Sequence, residues 1–298
     1  MNGIIPLNKD LGMTSADCVY KLRKILHERK IGHTGTLDPQ VDGVLPICIG
    51  QATKLVNLLT NSGKEYHGEI TLGFSTTTED REGDIVERVK LEQTTDEQEI
   101  DKILEQFQGE IKQIPPMYSA VKVNGKKLYE YARAGIEVER PERIVTIKKF
   151  QRTSPVQFNA ENNTVSFGFA VECSKGTYVR TLAVQVGELL GIPSHMSQLT
   201  RVKSAGITLD QTLTLDEITE LQEQGKTDFL ISIDEVLKDF PRVDLTDEQW
   251  KIVQNGGFLP LKNNQKQVVL AYNGKVKAIY ELNQFNKYQP ETMLLNNN

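Results

Sequence analysis

The stretch Gly32–Gly50, which reads GHTGTLDPQVDGVLPICIG, constrains the fold of this chain more than any other. Its four glycines and two prolines exclude a continuous helix, and its apolar residues are spaced too irregularly for a simple strand. We therefore predict a tight, shaped loop. Pro39 fixes the backbone directly after Asp38, so the loop holds that carboxylate in one direction. We take Asp38 as the candidate reactive group; the simpler interpretation is that Asp38-Pro39 only initiates a turn.

Length and composition indicate an ordinary globular protein. The chain has 298 residues, of which 38% are hydrophobic and 25% charged, and we expect one large and one small domain. No apolar run approaches the roughly 20 residues that span a bilayer, and the N-terminus lacks the pattern of a secretory signal. These features predict a cytoplasmic protein.

Cysteines and histidines give no sign of a metal site or a disulfide framework. The three cysteines are far apart in the sequence, and the four histidines lack ligand-like spacing. We expect neither a metal nor a cofactor.

The net charge of −5 argues against a nucleic-acid partner, but the charge is unevenly distributed. Residues 79–107 carry eleven acidic and four basic side chains, so the rest of the chain has a net charge of +2. Residues 21–33 and 112–133 each have a net charge of +4, which is enough for a phosphate-binding face if they converge. Solvated helix faces would explain the same charges equally well.

Apolar periodicity and capping patterns predict a mixture of helices and strands. Tyr66 falls on the apolar face of a strand predicted at 64–72, where a core aromatic is the simpler interpretation. Arg180 lies in the first turn of a helix predicted at 177–190. A cation gains nothing from the dipole at that end of a helix, which favours a specific partner for Arg180. Further helices are predicted after Thr14 or Ser15 and after Thr95, Thr214 and Thr246. Strands are predicted near 4–7, 143–150 and 164–173, with a hairpin turn at Asn273-Gly274.

Three motifs together resemble the TruB family of tRNA pseudouridine synthases. They are GHTGTLDP with the following GVLPICIG, then KEYHGEITLGFSTTTEDREG with Tyr66, and CSKGTYVRTLAVQVGELLG with Arg180. They occur in the family's order, and the similarity extends from about Ile4 to Asp234. The last sixty residues resemble, more weakly, a small RNA-binding PUA domain.

The resemblance implies both a fold and a function. The fold would be α+β, the pseudouridine synthase fold, with a mixed, largely antiparallel central sheet in residues 1–238 and a small, β-rich, PUA-like domain in residues 239–298. The function would be isomerisation of uridine 55 in the T-loop of tRNA to pseudouridine. The protein would act as a monomer, without membrane, metal or cofactor.

The resemblance also assigns roles to individual residues. Asp38 would be the nucleophile, attacking either C1′ or C6 of the flipped-out uridine. Tyr66 would stack on the base and help remove the C5 proton, and Arg180 would pair with Asp38 through two hydrogen bonds. His33 would fill the space left by the flipped base or contact RNA, although a lone loop histidine is often structural. Lys9 would meet a phosphate, and Tyr178 and Leu199 would line the uracil site.

Two departures from the family pattern leave alternatives open. Asp42 is a second carboxylate near Asp38, so the two could share a proton or bind a divalent ion. The segment Leu199-Thr200-Arg201 has one arginine where the family commonly has two in succession, so this chain could lack one contact to an RNA phosphate. Two other functions also remain: an RNA-binding protein or tRNA-folding chaperone without turnover, and a glycosidase that releases free uracil from nucleosides.

Overall fold

A computed structural model describes residues 1–297, which divide into two compact units. One unit combines residues 1–60 with the chain from Ala205 onward, and the other consists of Asn61–Ser204. Helices and strands occur in both units, which confirms the predicted α+β class. Within residues 1–297 no helix is both long enough and apolar enough to cross a bilayer.

The N-terminal segment of the first unit is a small antiparallel sheet with one amphipathic helix. Its elements are β1 (Gly3–Lys9), α1 (Ser15–Leu26), β2 (Ile31–His33), β3 (Asp42–Ile49), a 3₁₀ helix (Gly50–Leu55) and α2 (Val56–Thr60). Both β1 and β2 pair antiparallel with β3. Thr14 caps α1 as predicted, in a reciprocal capping box with Asp17. The predicted loop is shorter than expected, because residues 42–49 form a buried strand and only residues 34–41 connect β2 to β3.

The second unit is built on a five-stranded antiparallel sheet in the order β13-β4-β12-β10-β7, with β11 paired to β12. Three helices and two small hairpins complete it. The elements are β4 (Lys64–Leu72), β5 (Phe74–Thr76), β6 (Ile85–Arg88), α3 (Glu97–Gln106), β7 (Gly109–Gln113), β8 (Lys122–Val123), β9 (Lys126–Lys127), α4 (Leu128–Arg133), β10 (Arg143–Arg152), β11 (Gln157–Asn159), β12 (Thr164–Cys173), α5 (Val179–Leu190) and β13 (Ser194–Ser204).

The chain then returns to the first unit and ends in a four-stranded sheet. Its elements are β14 (Ile207–Thr208), α6 (Leu215–Glu223), α7 (Ile233–Val236), β15 (Arg242–Asp244), α8 (Asp247–Val253), β16 (Gln267–Tyr272), β17 (Lys275–Leu282) and β18 (Tyr288–Met293). The sheet order is β15-β16-β17-β18, with only the β15–β16 pair parallel. Thr214 and Thr246 cap α6 and α8 as predicted, and Asn273-Gly274 forms the predicted hairpin turn with positive φ at both residues.

One apolar cluster of the first unit joins the two ends of the chain. It is formed by Ile4, Val44, Cys48, Ala52, Leu55, Leu59, Ile207, Ile233, Leu237, Val269, Val276, Ile279 and Leu294, and we call it the terminal cluster. Its members are all at least nine-tenths buried, and they come from β1, β3 and the 3₁₀ helix as well as from the last sheet. A second cluster lies within residues 245–288. The segment after residue 238 therefore has a core of its own and also shares one with residues 1–60.

The sequence closes on Asn296-Asn297-Asn298, a run whose composition predicts fraying, but its described residues are anchored. The side-chain amide of Asn297 donates to Asp234 Oδ2 at 3.0 Å and to the Val276 carbonyl at 2.9 Å. The Asn297 carbonyl accepts from Lys277 Nζ at 2.6 Å. Asn298, also expected to be frayed, lies outside the described residues.

Candidate active site

The loop of residues 34–41 is anchored on both sides of Asp38. Ser15 Oγ accepts from the Leu37 amide at 2.9 Å, and the Gly12 amide donates to the Pro39 carbonyl at 2.8 Å. Leu37 is only 3% exposed, while Asp38 is partly exposed and its carbonyl accepts from the Val41 amide. The backbone on both sides of Asp38 is therefore held in place by hydrogen bonds, which agrees with the predicted shaped loop, and Asp38 itself is partly exposed.

Lys9 supports this loop through hydrogen bonds to backbone carbonyls. Its side chain is fully buried, and Nζ donates to the carbonyls of Met13 at 2.8 Å, Asp10 at 2.9 Å and Pro39 at 3.4 Å. Burial lowers the pKa of Lys9, and the charges of Cys18, Asp42, Asp10 and Asp38 oppose that shift. An ammonium group has three protons, and here all three face carbonyl oxygens. This arrangement argues against the predicted phosphate contact, because a phosphate would have to displace one of them.

His33 and Asp42 lie at the two ends of the same loop. His33 ends β2, and its Nδ1 accepts from the Gly35 amide at 3.3 Å, which leaves Nε2 to carry the proton. Asp42 begins β3, and its Oδ1 is buried without a hydrogen-bond partner in residues 1–297. No group of three or more His, Cys, Asp or Glu side chains that could hold a metal occurs in that range.

Tyr66 lies in the middle of the second unit's sheet. It belongs to β4, opposite Val171 of β12 and Arg201 of β13, and is 7% exposed. Leu199 is opposite Gly68, so Leu199 and Tyr66 are on the same face. A Cβ on Gly68 would lie 2.9 Å from Leu199 Cδ1 and 2.8 Å from Phe169 Cζ. The missing side chain at position 68 thus makes room for Leu199 next to Tyr66.

Arg180 is held by the loop between β5 and β6. It is 5% exposed, and its guanidinium donates to the carbonyls of Thr78 at 2.8 Å and Tyr118 at 3.0 Å. Nη1 also lies 3.6 Å from Asp80 Oδ2. These contacts agree with the expectation that Arg180 serves a partner rather than its helix. Its predicted pairing with Asp38 stays a prediction, because the two residues belong to separate units.

The loop that holds Arg180 is itself tightly folded, and sequence reasoning missed it. Asp80 Oδ1 accepts from Thr78 Oγ1 at 2.5 Å and from the Glu82 amide at 3.1 Å. Glu79 has a positive φ of 64°, and its carboxylate accepts from Thr181 Oγ1 at 2.6 Å. Burial raises the pKa of Glu79, against the effects of the Thr181 hydrogen bond and the Arg180 charge. The run TTTEDREG carried the signal, because short hydroxyl side chains precede three carboxylates and a glycine.

Tyr178 is fixed through its backbone at the start of α5. Its amide donates to Gln113 Oε1 at 2.7 Å, and its carbonyl accepts from Gln113 Nε2 at 3.1 Å. The Tyr178 ring is partly exposed, with the Arg143 guanidinium 5.4 Å from its centroid. The ring is thus available for contact with a planar ligand.

Comparisons with known proteins agree on one family. Residues 23–179 match the model of the TruB family pseudouridylate synthase N-terminal domain, and residues 180–240 match that of the tRNA pseudouridylate synthase B C-terminal domain. The tRNA pseudouridine synthase B of Bacillus pumilus (strain SAFR-032) is 54% identical over 288 residues, covering 94% of this chain and 93% of that protein. The protein of the same name from Streptococcus sanguinis (strain SK36) is 55% identical, covering 99% of this chain and 100% of its own.

Solved structures extend the likeness to the fold. The crystal structure of a Cbf5-Nop10-Gar1 complex contains a chain that is 26% identical and matches with a TM-score of 0.71, covering 97% of this chain and 83% of that chain. An archaeal box H/ACA sRNP Nop10-Cbf5 complex contains a chain that is 21% identical, with a TM-score of 0.70.

Proposed function

The chain belongs to the TruB family of pseudouridylate synthases, and from that membership we propose that it converts uridine 55 in the T-loop of tRNA to pseudouridine. The observation that carries the proposal is the anchoring of Asp38. Its carboxylate is partly exposed, while Leu37 and Pro39 on either side are hydrogen-bonded to the segment that begins α1. A nucleophile held in this way loses little freedom when a substrate binds.

The reaction is an isomerisation that a carboxylate can drive. The bond from C1′ to N1 breaks, the uracil turns, and a bond from C1′ to C5 forms, while C5 loses a proton and N1 gains one. We propose that Asp38 attacks the substrate at C1′ or C6 and forms a covalent intermediate. A carboxylate bonded to C1′ displaces N1 and is displaced in turn by C5, whereas one bonded to C6 is eliminated after the C1′–C5 bond has formed, when C5 loses its proton. The target base must first leave its stack in the folded T-loop.

Tyr66, Leu199 and Tyr178 are proposed to hold the detached base. Tyr66 and Leu199 lie on one face of the sheet, so an aromatic ring and an aliphatic side chain can together pack against a flat uracil. Tyr66 carries a phenol oxygen that can help take the C5 proton. The partly exposed ring of Tyr178 would close the site from the start of α5.

Arg180 is proposed to keep the nucleophile ionised and aimed. Its guanidinium is buried, and two of its donors are already fixed by the Thr78 and Tyr118 carbonyls. Because these two hydrogen bonds fix the plane of the guanidinium, its other N–H groups have a defined direction. That direction suits a two-point hydrogen bond to the Asp38 carboxylate. Asp80, 3.6 Å from Nη1, compensates the buried charge and is a further positioning residue.

The other assignments complete the proposal. His33 would fill the space of the flipped base or contact RNA through Nε2, which its Gly35 hydrogen bond leaves protonated. We propose that residues 239–298 form a PUA-like RNA-binding domain after a catalytic domain of residues 1–238. We also propose that the protein is a monomer and acts in the cytoplasm, where its tRNA substrate would be found.

The test is incubation with an unmodified tRNA transcript, followed by mapping of pseudouridine. We expect one modified position in the T-loop, no free uracil, and no loss of activity when EDTA is added after the RNA has folded. Binding without pseudouridine would favour the RNA-binding or chaperone function. Released uracil would identify a glycosidase, and inhibition by EDTA that one specific divalent ion reverses would favour an Asp38/Asp42 metal site.

A further inference from the structure

A cationic groove lies in the first unit at the start of β2. Arg29, Lys30 and Gly32 form one wall, and Thr53, Lys54 and Asn57 form the other, around about 540 Å³. Among residues 1–297, no carboxylate lines this groove. Gly32 contributes to its width, because the nearest atom to a Cβ at that position would be Val56 Cγ2 at 3.8 Å.

One carboxylate, that of Glu28, lies next to the groove but is not part of its lining. Its Oε1 accepts from the Arg29 and Lys30 amides at 2.8 and 3.0 Å, and its Oε2 lies 3.8 Å from the N-terminal ammonium. These backbone hydrogen bonds, first that of the Lys30 amide, lower the pKa of Glu28, and the charges of the N-terminal ammonium and of Lys30 add to the effect. Lys54 is held across the groove by a hydrogen bond to the Met293 carbonyl at 2.7 Å.

Helix α1 extends the same positive surface. Arg23 Nη2 lies 3.4 Å from the carbonyl of Ile31, which also lines the groove. Lys24 Nζ is 4.4 Å from the centroid of the Tyr20 ring, and this ring is 58% exposed. An exposed aromatic ring among cations is typical of surfaces that bind single-stranded nucleic acid, because rings stack on bases while cations meet phosphates.

We propose that this groove binds the sugar–phosphate backbone of the substrate RNA, close to the nucleotide that enters the active site; this rests on the proposed function. Strand β2 leads from the groove to His33, and three residues from Lys30 to His33 span about 10 Å. Phosphates of nucleotides that neighbour the target uridine would therefore be within reach of Arg29, Lys30 and Lys54. The contacts carry no sequence information and fix the register of the RNA strand.

The test compares the binding of unmodified tRNA by the full-length protein and its variants between 50 and 200 mM salt. Each lost phosphate contact reduces the slope of log affinity against log salt by about 0.7–0.9. We expect the Lys30→Gln/Lys54→Gln variant to bind about tenfold more weakly, with a slope shallower by about 1.5. Lys102→Gln is the matched control, because it removes one cation from the acidic helix α3 and should leave the slope unchanged.

Two further measurements keep the outcome clear. The Lys54→Arg variant retains the positive charge and a donor for the Met293 carbonyl, so it should bind tRNA as the wild-type protein does. The Arg29→Gln variant should reduce the slope of log affinity against log salt while the hydrogen bond between Lys54 and Met293 stays in place. If the double variant and Arg29→Gln both retain wild-type affinity and slope, the groove does not bind RNA. Pseudouridine formation by the wild-type protein is measured separately, so its absence would overturn the proposed function while the binding data still decide on the groove.

Discussion

Truncation after residue 238 should do more than remove the proposed RNA-binding domain. The terminal cluster includes Val269, Val276, Ile279 and Leu294, each 1% exposed or less. Burial of such a side chain contributes about 1.5–3 kcal/mol, so the four together account for about 6–12 kcal/mol. If half of this burial is against residues outside the final sheet, the truncation lowers the free energy of unfolding of the remaining chain by about 3–6 kcal/mol. That loss is a large part of a typical unfolding free energy of about 5–15 kcal/mol.

Thermal unfolding followed by circular dichroism measures this effect. A loss of 1 kcal/mol lowers the melting temperature of a domain of 150–250 residues by about 2–4 °C, so a loss of about 3–6 kcal/mol should make the truncated chain melt about 6–24 °C below the full chain. It should also bind a hydrophobic dye, because Ile4, Val44 and Leu55 would lose their cover. Phe285→Ser is the control, since that side chain is 73% exposed and its loss should change little. A truncated chain that melts within about 2 °C of the full chain would refute the reasoning.

Three further predictions concern single side chains. Asp38→Asn should lower the single-turnover rate by more than about 10³-fold while tRNA binding survives, because an amide keeps the shape but cannot attack carbon; a near wild-type rate would contradict the assignment. Arg180→Lys should slow the chemical step strongly at unchanged melting temperature, since lysine cannot reproduce a planar fork of donors; a loss of tRNA affinity alone would make Arg180 a phosphate contact. Lys64 should titrate in the folded protein near its lowered pKa of about 8, which burial and then the Arg201 charge produce, and NMR of the side chain measures this directly. Folding disfavours the charged form of Lys64. Its contribution to the free energy of unfolding should therefore increase as the pH rises from about 8 to 10.5, the ordinary pKa of the group. Urea unfolding of the Lys64→Met variant should lack that increase.

Local signals in the sequence predicted much of the fold. Thr14, Thr214 and Thr246 each cap a helix as expected, because a hydroxyl and an Asp, Glu or Gln three residues later can satisfy each other's backbone amides. The cap of α3 was predicted one residue early. Asp96 takes that position instead of Thr95, since its carboxylate accepts from the Gln98 amide. Both side chains are good caps, so the sequence alone does not choose between them.

Features that depend on distant parts of the chain were not predictable. Strand β13 was missed because register shifts at Met196/Gln198 and Arg201/Lys203 interrupt its alternation of buried and exposed residues. The strand at 42–49 was taken for loop because it is buried at nearly every position and so lacks a period of two. The surroundings of the buried Lys9 combine two nearby carbonyls, those of Asp10 and Met13, with that of Pro39, which is 30 residues away in the sequence and reaches Lys9 only in the folded chain.

That buried ammonium makes Lys9 a natural reporter of conformational opening. Reagents that acylate amines modify exposed lysines within their reach, but they would find Lys9 fully covered and enclosed by carbonyl oxygens. Its modification requires that the loop carrying Asp38 separate from the start of α1, since the Pro39 and Met13 carbonyls lie on these two segments. The rate at which Lys9 becomes labelled would therefore measure how often the loop that carries Asp38 separates from its support, and a bound RNA that stabilises the loop should slow it.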